Sequence, residues 1–112
     1  MIAYDRTQRR LLASKVLKAD TALSRMRGLL GRGRLEPGEA LWIAPCAMIH
    51  TFFMRFSLDV VFLDAELRVL RVIERLRPWR VSPWVPWARS VLELEAGALA
   101  GRVLRGDHLE MR

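Results

Sequence analysis

No apolar run in this chain approaches the roughly 18 residues that a membrane-spanning helix requires. The N-terminal stretch MIAYDRTQRRLLASKVLKAD has charges every few residues and lacks both an apolar h-region and a small-residue cleavage site. It therefore reads as part of the folded body and not as a signal peptide. Cysteine is nearly missing: Cys46 stands alone, which excludes an intramolecular disulfide. These absences set a cytoplasmic expectation with no membrane span. Histidine is limited to His50 and His108, and lysine to Lys15 and Lys18, so almost all positive charge is carried by arginine.

Against these scarcities, 52% of the 112 residues are hydrophobic and 28% charged, a balance that supports a packed interior and argues against disorder. The length fits one domain, residues 1–112. The net charge of +7 is one-sided. Residues 1–34 hold nine basic side chains against Asp5 and Asp20, whereas residues 35–112 hold ten of each sign. Such a surplus forms a solvated basic face, and it also favours encounter with anionic partners. Weak, salt-sensitive nucleic-acid binding is expected from it at most.

The pattern along the chain points to an α+β fold. Residues 9–18 mix basic and apolar side chains in the manner of a strand with one wet face. Asp20 or Thr21 can cap a helix over about residues 21–30, whose apolar set Ala22, Leu23, Met26, Leu29 and Leu30 lies on one face. Ala40–Ala44 is a short strand, and the nearly continuous apolar run Met48–Leu63 suits a buried strand. Asp64-Ala65-Glu66 turns the chain into a second hairpin arm, Leu67–Ile73. Residues 77–88, with three prolines, are an ordered extended loop. Ser90–Glu95 alternates as a strand, Ala96–Leu104 is at best a short helix, and His108–Met111 is a last strand. Together these predict a mixed, strongly curved sheet or open barrel packed by one main helix.

The segments RMRGLLGR (25–32), IHTFFMRFSLDVVFLD (49–64), LRPWR (76–80), VLELEAG (91–97) and GD (106–107) follow one another in an order and spacing that resembles the family named domain of unknown function 192. The resemblance covers about residues 10–112. It implies a small α+β fold with a curved, barrel-like sheet and brings no agreed activity. Three departures stand out: Ser57 and Glu95 occupy positions where the family favours proline, and the export leader of many relatives is not evident here.

Several residues carry possible chemistry. Cys46 and His50 have a C-x3-H spacing, but two ligands make half a metal site, so no metal or cofactor is expected. Asp59, set among Leu58, Val60, Val61, Phe62 and Leu63, needs compensation for its charge if the strand is buried. The candidate partners are His50, Arg55, an arginine of segment 25–32, or a run of backbone N–H groups. Trp79, Trp84 and Trp87 alternate with Pro78, Pro83 and Pro86 amid Arg77, Arg80 and Arg89, which suits either a lid over a barrel mouth or a stacking surface.

The leading functional reading is a non-catalytic binding module for a small anionic or aromatic ligand, lined by Arg27, Arg32, His50, Thr51, Arg55, Asp59 and Trp79. The alternatives are a nucleic-acid-binding domain using the basic N-terminal unit and the tryptophan loop, and a hydrolase-like enzyme using Cys46, His50 and Asp59. No nucleophile elbow, P-loop or dinucleotide fingerprint is present.

Overall fold

The structure is a computed structural model that describes residues 1–19 and 35–112. These residues form eight strands: β1 Ala3–Asp5, β2 Arg10–Ala13, β3 Lys15–Ala19, β4 Glu39–Ile43, β5 Leu58–Leu63, β6 Val69–Leu76, β7 Ser90–Glu95 and β8 Leu109–Met111. They are arranged in two sheets, ordered β2-β1-β8 and β3-β4-β7-β5-β6.

This corrects the α+β expectation: the described residues are all-β, with no helix among them. The helix expected over 21–30 lies outside the described residues. The second expected helix, at 96–104, is a run of turns, because Gly97, Ala100 and Gly101 all take positive φ (93°, 47° and 72°), and a right-handed helix cannot pass through them. Nor does a single curved sheet form. The strand expected over 9–18 breaks at Ser14 into β2 and β3, which join different sheets.

The five-stranded sheet is apolar on both faces, which is why β5 is buried along its whole length. One face carries Val61, Leu63, Leu92 and Leu94 and packs against Ala3, Ala13 and Leu109 of the small sheet. The other face carries Ile43, Leu58, Val60, Phe62 and Val91. It is covered in part by Ile49, Met54, Val85 and Ala88, which belong to two long crossovers.

Those crossovers are residues 44–57, from β4 to β5, and 77–89, from β6 to β7. They run antiparallel and are joined by backbone bonds: Cys46 N–H to Arg89 O (3.0 Å), Val85 N–H to Ala47 O (2.9 Å), Ser82 N–H to Ile49 O (2.9 Å) and Thr51 N–H to Arg80 O (2.8 Å). The apolar run from Met48 therefore becomes a strand only at Leu58. The left-handed Phe53 (φ 65°) ends any alternation before it. Small sheet, large sheet and crossover layer are thus stacked around two apolar clusters.

Asp59, fully buried in β5, ties these parts together. The β5–β6 ladder shifts register between Leu58 and Val60, so Glu74 and Arg75 bulge opposite it. Oδ1 accepts the N–H of Arg75 (2.9 Å), a residue held at φ 57°. Oδ2 accepts the N–H groups of Gly97 (3.1 Å) and Leu99 (3.0 Å) in the turn after β7. Of the partners expected from sequence, the backbone run is the one observed among the described residues, and the arginines of 25–32 lie outside them.

A second buried acid closes the small sheet. Asp5 Oδ1 accepts the N–H groups of Thr7 (3.0 Å) and Gln8 (3.1 Å), while Oδ2 is buried with no hydrogen-bond donor among the described residues. Burial, and next a hydrogen bond shared with the Asp107 carboxyl, raise the Asp5 pKa above its ordinary value. Asp107 itself accepts the N–H of Leu104 (3.1 Å). When Asp5 is protonated, it can share that proton with Asp107 and so join the turn after β1 to the turn before β8.

Two outcomes are expected. In Asp59→Asn the amide can accept at only one side, so one set of backbone N–H groups loses its acceptor. Urea unfolding at neutral pH should show a loss of about 1–3 kcal/mol. An unchanged or raised midpoint would contradict the anchoring role. For Asp5, whose folded pKa is raised, the protonated form is the stabilised one. Its contribution is full below the ordinary carboxylate range and is lost as pH rises through the raised folded value. Asp5→Asn keeps an oxygen for the turn and puts an amide N–H toward Asp107. Stability measured in steps between about pH 3 and 7 should therefore fall less with rising pH in this variant than in the native protein. Parallel profiles would refute the shared proton.

Candidate functional site

The crossover layer is held by one side chain more than any other. Thr51 is fully buried; its hydroxyl donates to Arg77 O (2.6 Å) and accepts from Arg80 N–H (2.9 Å). Its carbonyl accepts the N–H groups of Trp79 (2.9 Å) and Met54 (3.2 Å). Thr51 thus clamps the 77–80 bend to the 51–54 turn, and it leaves Trp79 (φ 63°) and Phe53 (φ 65°) in left-handed conformations with their rings outward. Bulky residues take this conformation only where surrounding bonds over-determine it.

An aromatic cluster results. Phe52 and Trp79 stack with centroids 5.9 Å apart, Phe53 tilts against Trp79 at 4.8 Å, and the His50 ring lies 4.9 Å from Phe52. His50 Nδ1 accepts the Phe52 N–H (3.3 Å), and His50 bridges Val81 across the two crossovers. Phe53 and Trp79 remain 62% and 56% exposed.

The other tryptophans of the loop face a different hollow. Trp84, Pro86 and Trp87, with Leu70, Arg71 and Val72 of β6 and Val103, Leu104 and Arg105 of the turn before β8, line a cleft of about 620 Å³. Trp84 and Trp87 are 66% and 82% exposed, and Trp87 is also left-handed (φ 65°). Arg71 and Arg105 are exposed as well.

The residues expected to share one site are distributed as follows. His50 and Trp79 meet through Phe52; Arg55 is exposed on the same crossover; Thr51 and Asp59 are buried and bonded to backbone. Arg27 and Arg32 lie outside the described residues. Asp59 points to the small-sheet side of β5, whereas Cys46 packs on the crossover side, and the Cys46 thiol donates to Met48 O (3.2 Å). The large sheet therefore separates Asp59 from Cys46 and His50. Among the described residues no group of three or more His, Cys, Asp or Glu side chains is placed to hold a metal ion, and no helix is long and apolar enough to cross a membrane.

Sequence reasoning did not find Arg71 and Arg105. They lie far from the tryptophans along the chain, and only the exposed tryptophan-proline loop hinted that something would pack beside it. It also missed that Glu93 is fully buried, between Leu41 and Val60 on the neighbouring strands. The alternation of 90–95 places Glu93 opposite Leu92 and Leu94, but nothing in that alternation says that both faces are covered.

Comparison with known proteins assigns the family. The family model DUF192, described as "Uncharacterized ACR", matches residues 3–111. A UPF0127 protein of Pyrococcus abyssi is 39% identical over 105 residues, 86% of this chain and 85% of that one. A UPF0127 protein of Thermococcus sibiricus is 33% identical over 85% of this chain, and the chain spans only 64% of that relative's length. Among solved structures, a protein of unknown function from Novosphingobium aromaticivorans shares the fold with a TM-score of 0.80 at 21% identity, over 98% of this chain and 82% of that one. The chain belongs to the DUF192 family of uncharacterised proteins, whose relatives here carry the name UPF0127.

Proposed function

We propose that this protein is a non-catalytic binding module for a small ligand that combines negative charge with a flat aromatic part. The observation that carries the reading is the cleft of about 620 Å³ between two exposed tryptophans and two exposed arginines. Its volume is that of small-molecule sites, roughly 300–1,000 Å³. The indole faces of Trp84 and Trp87 suit stacking, and the guanidinium forks of Arg71 and Arg105 suit a carboxylate or phosphate. Among the described residues no acidic side chain lines the cleft to repel an anion.

The same lining supports binding over turnover. Among the described residues it contains no Ser, Thr, Cys, His, Asp, Glu or Lys, and so no nucleophile or acid–base group. Of the residues expected from sequence to form the site, Thr51 and Asp59 commit their polar atoms to backbone, while His50, Arg55 and Trp79 belong to a separate surface.

Tryptophan fluorescence titration with nucleoside monophosphates and with aromatic carboxylates tests the proposal. At least one class should quench saturably. Trp87→Ala should weaken that binding about tenfold or more, and Arg71→Gln with Arg105→Gln at least as much. Native-like affinity in Trp87→Ala, or no saturable response to either class, would overturn it.

A further inference from the structure

The crossover layer carries a second surface that shares no residue with the Trp84–Trp87 cleft. Met48, Phe52, Phe53, Trp79 and Val81 are all exposed, and they sit on adjacent stretches of the two crossovers. Ring contacts join Phe52 and Phe53 to Trp79, and the His50–Val81 bridge sets Val81 beside the His50 ring that lies against Phe52, which makes an apolar patch with Met48 two residues away along the chain. Patches of this kind on an isolated chain mark interaction surfaces. This one is also electrically one-sided: the crossovers, residues 44–57 and 77–89, contain Arg55, Arg77, Arg80 and Arg89, all exposed, and no Asp or Glu.

We propose that this patch docks the protein on the surface of an anionic lipid bilayer. Phe52, Phe53 and Trp79 enter the headgroup–acyl boundary, and Arg55, Arg77 and Arg80 meet the headgroup phosphates. Aromatic and aliphatic side chains ringed by arginine suit that boundary, where the rings contact acyl chains and the cations snorkel to the headgroups. Charge argues against a second copy of the chain as the occupant. A two-fold contact through this patch would bring its arginines toward those of the partner, with no acid on either crossover to offset them. Ring geometry argues against single-stranded nucleic acid. Phe52 and Phe53 already pack on Trp79, which limits the open ring faces for bases, and Met48 and Val81 offer a base little that a lipid tail would not use better.

The display is also tied down by backbone hydrogen bonds. Trp79 and Phe53 are fixed by the Thr51 bonds, so insertion does not first require ordering of the loops.

Vesicle flotation provides the test, using the full chain with vesicles of equal parts phosphatidylcholine and phosphatidylglycerol, and with phosphatidylcholine alone. The protein should float with the anionic vesicles and much less with the zwitterionic ones, and added salt should weaken binding. Phe52→Ser with Phe53→Ser should reduce binding about tenfold or more, and Arg55→Gln with Arg80→Gln about fivefold per arginine. Both pairs are exposed, and thermal melting should confirm native stability. An unchanged melting profile with unchanged flotation in the phenylalanine variant would overturn the proposal. So would failure of the native protein to float with anionic vesicles. Displacement from the vesicles by oligothymidylate, lost in the same phenylalanine variant, would reassign the patch to nucleic acid. Because the cleft is untouched by these changes, small-ligand quenching in the same variants reports on it separately.

Discussion

The fold depends on one carboxylate holding three backbone N–H groups. Two of its clients lie where ordinary ladder bonding fails: the extra residue of the β6 bulge, and the turn that leaves β7 through Gly97 at φ 93°. A peptide N–H buried without an acceptor costs about as much as several favourable contacts contribute, so such a bulge and turn persist only with an acceptor supplied. Asp59 supplies it from the centre of the most buried strand. A side chain added at Gly97 would also meet the Arg75 guanidinium at 3.3 Å, so bulge and turn are close as well as jointly bonded. With both fixed, β6 and β7 leave the sheet in set directions, and the crossover that joins them starts from a defined place.

Thr51 performs the matching task in the outer layer. Its hydroxyl and both its backbone groups are used, and all serve to fasten one crossover to the other. The layer it closes has no regular secondary structure, yet it covers part of an apolar sheet face as a helix would. An irregular cover has one freedom that a helix lacks. Its turns can leave large side chains facing outward without interrupting the buried set, because left-handed residues such as Phe53, Trp79 and Trp87 redirect the chain locally. Ile49, Met54 and Val85 face in while their near neighbours face out.

The sequence was legible where one physical signal dominated. Clean alternation located β7 at Ser90–Glu95, and the Asp64 turn placed the β5–β6 hairpin, where Asp64 accepts the N–H groups of Glu66 and Arg68 (both 2.9 Å). The need of a buried Asp59 for partners was also visible, and the backbone was among those considered. What misled was the apolar run from Met48. Hydrophobicity alone cannot separate a buried strand from a crossover that buries every second or third residue while its bonds go to another loop. Ala96–Leu104 misled for a related reason: its composition permits a helical turn, but the bonds offered by Asp59 to Gly97 and Leu99 favour turns instead. The separation of Trp79 from Trp84 and Trp87 was illegible for a third reason. It depends on which side of the crossover each ring leaves, and that is decided by long-range pairing with residues 46–51.

That separation bears on what kind of protein this is. Were the three tryptophans a lid over one mouth, their burial would compete with their availability, and only a ligand strong enough to open the lid would bind. Instead each ring is largely exposed before any partner arrives. Exposed indoles lose hydrophobic stabilisation relative to buried ones, by about 1.5–3 kcal/mol for a full side chain of comparable size. Left-handed backbone at Trp79 and Trp87 adds strain of about 1 kcal/mol or more at each. A fold that tolerates both costs at two positions, on a loop stiffened by Pro78, Pro83 and Pro86, retains little freedom for those rings to lose on contact. The conformational cost of association is then low at both surfaces.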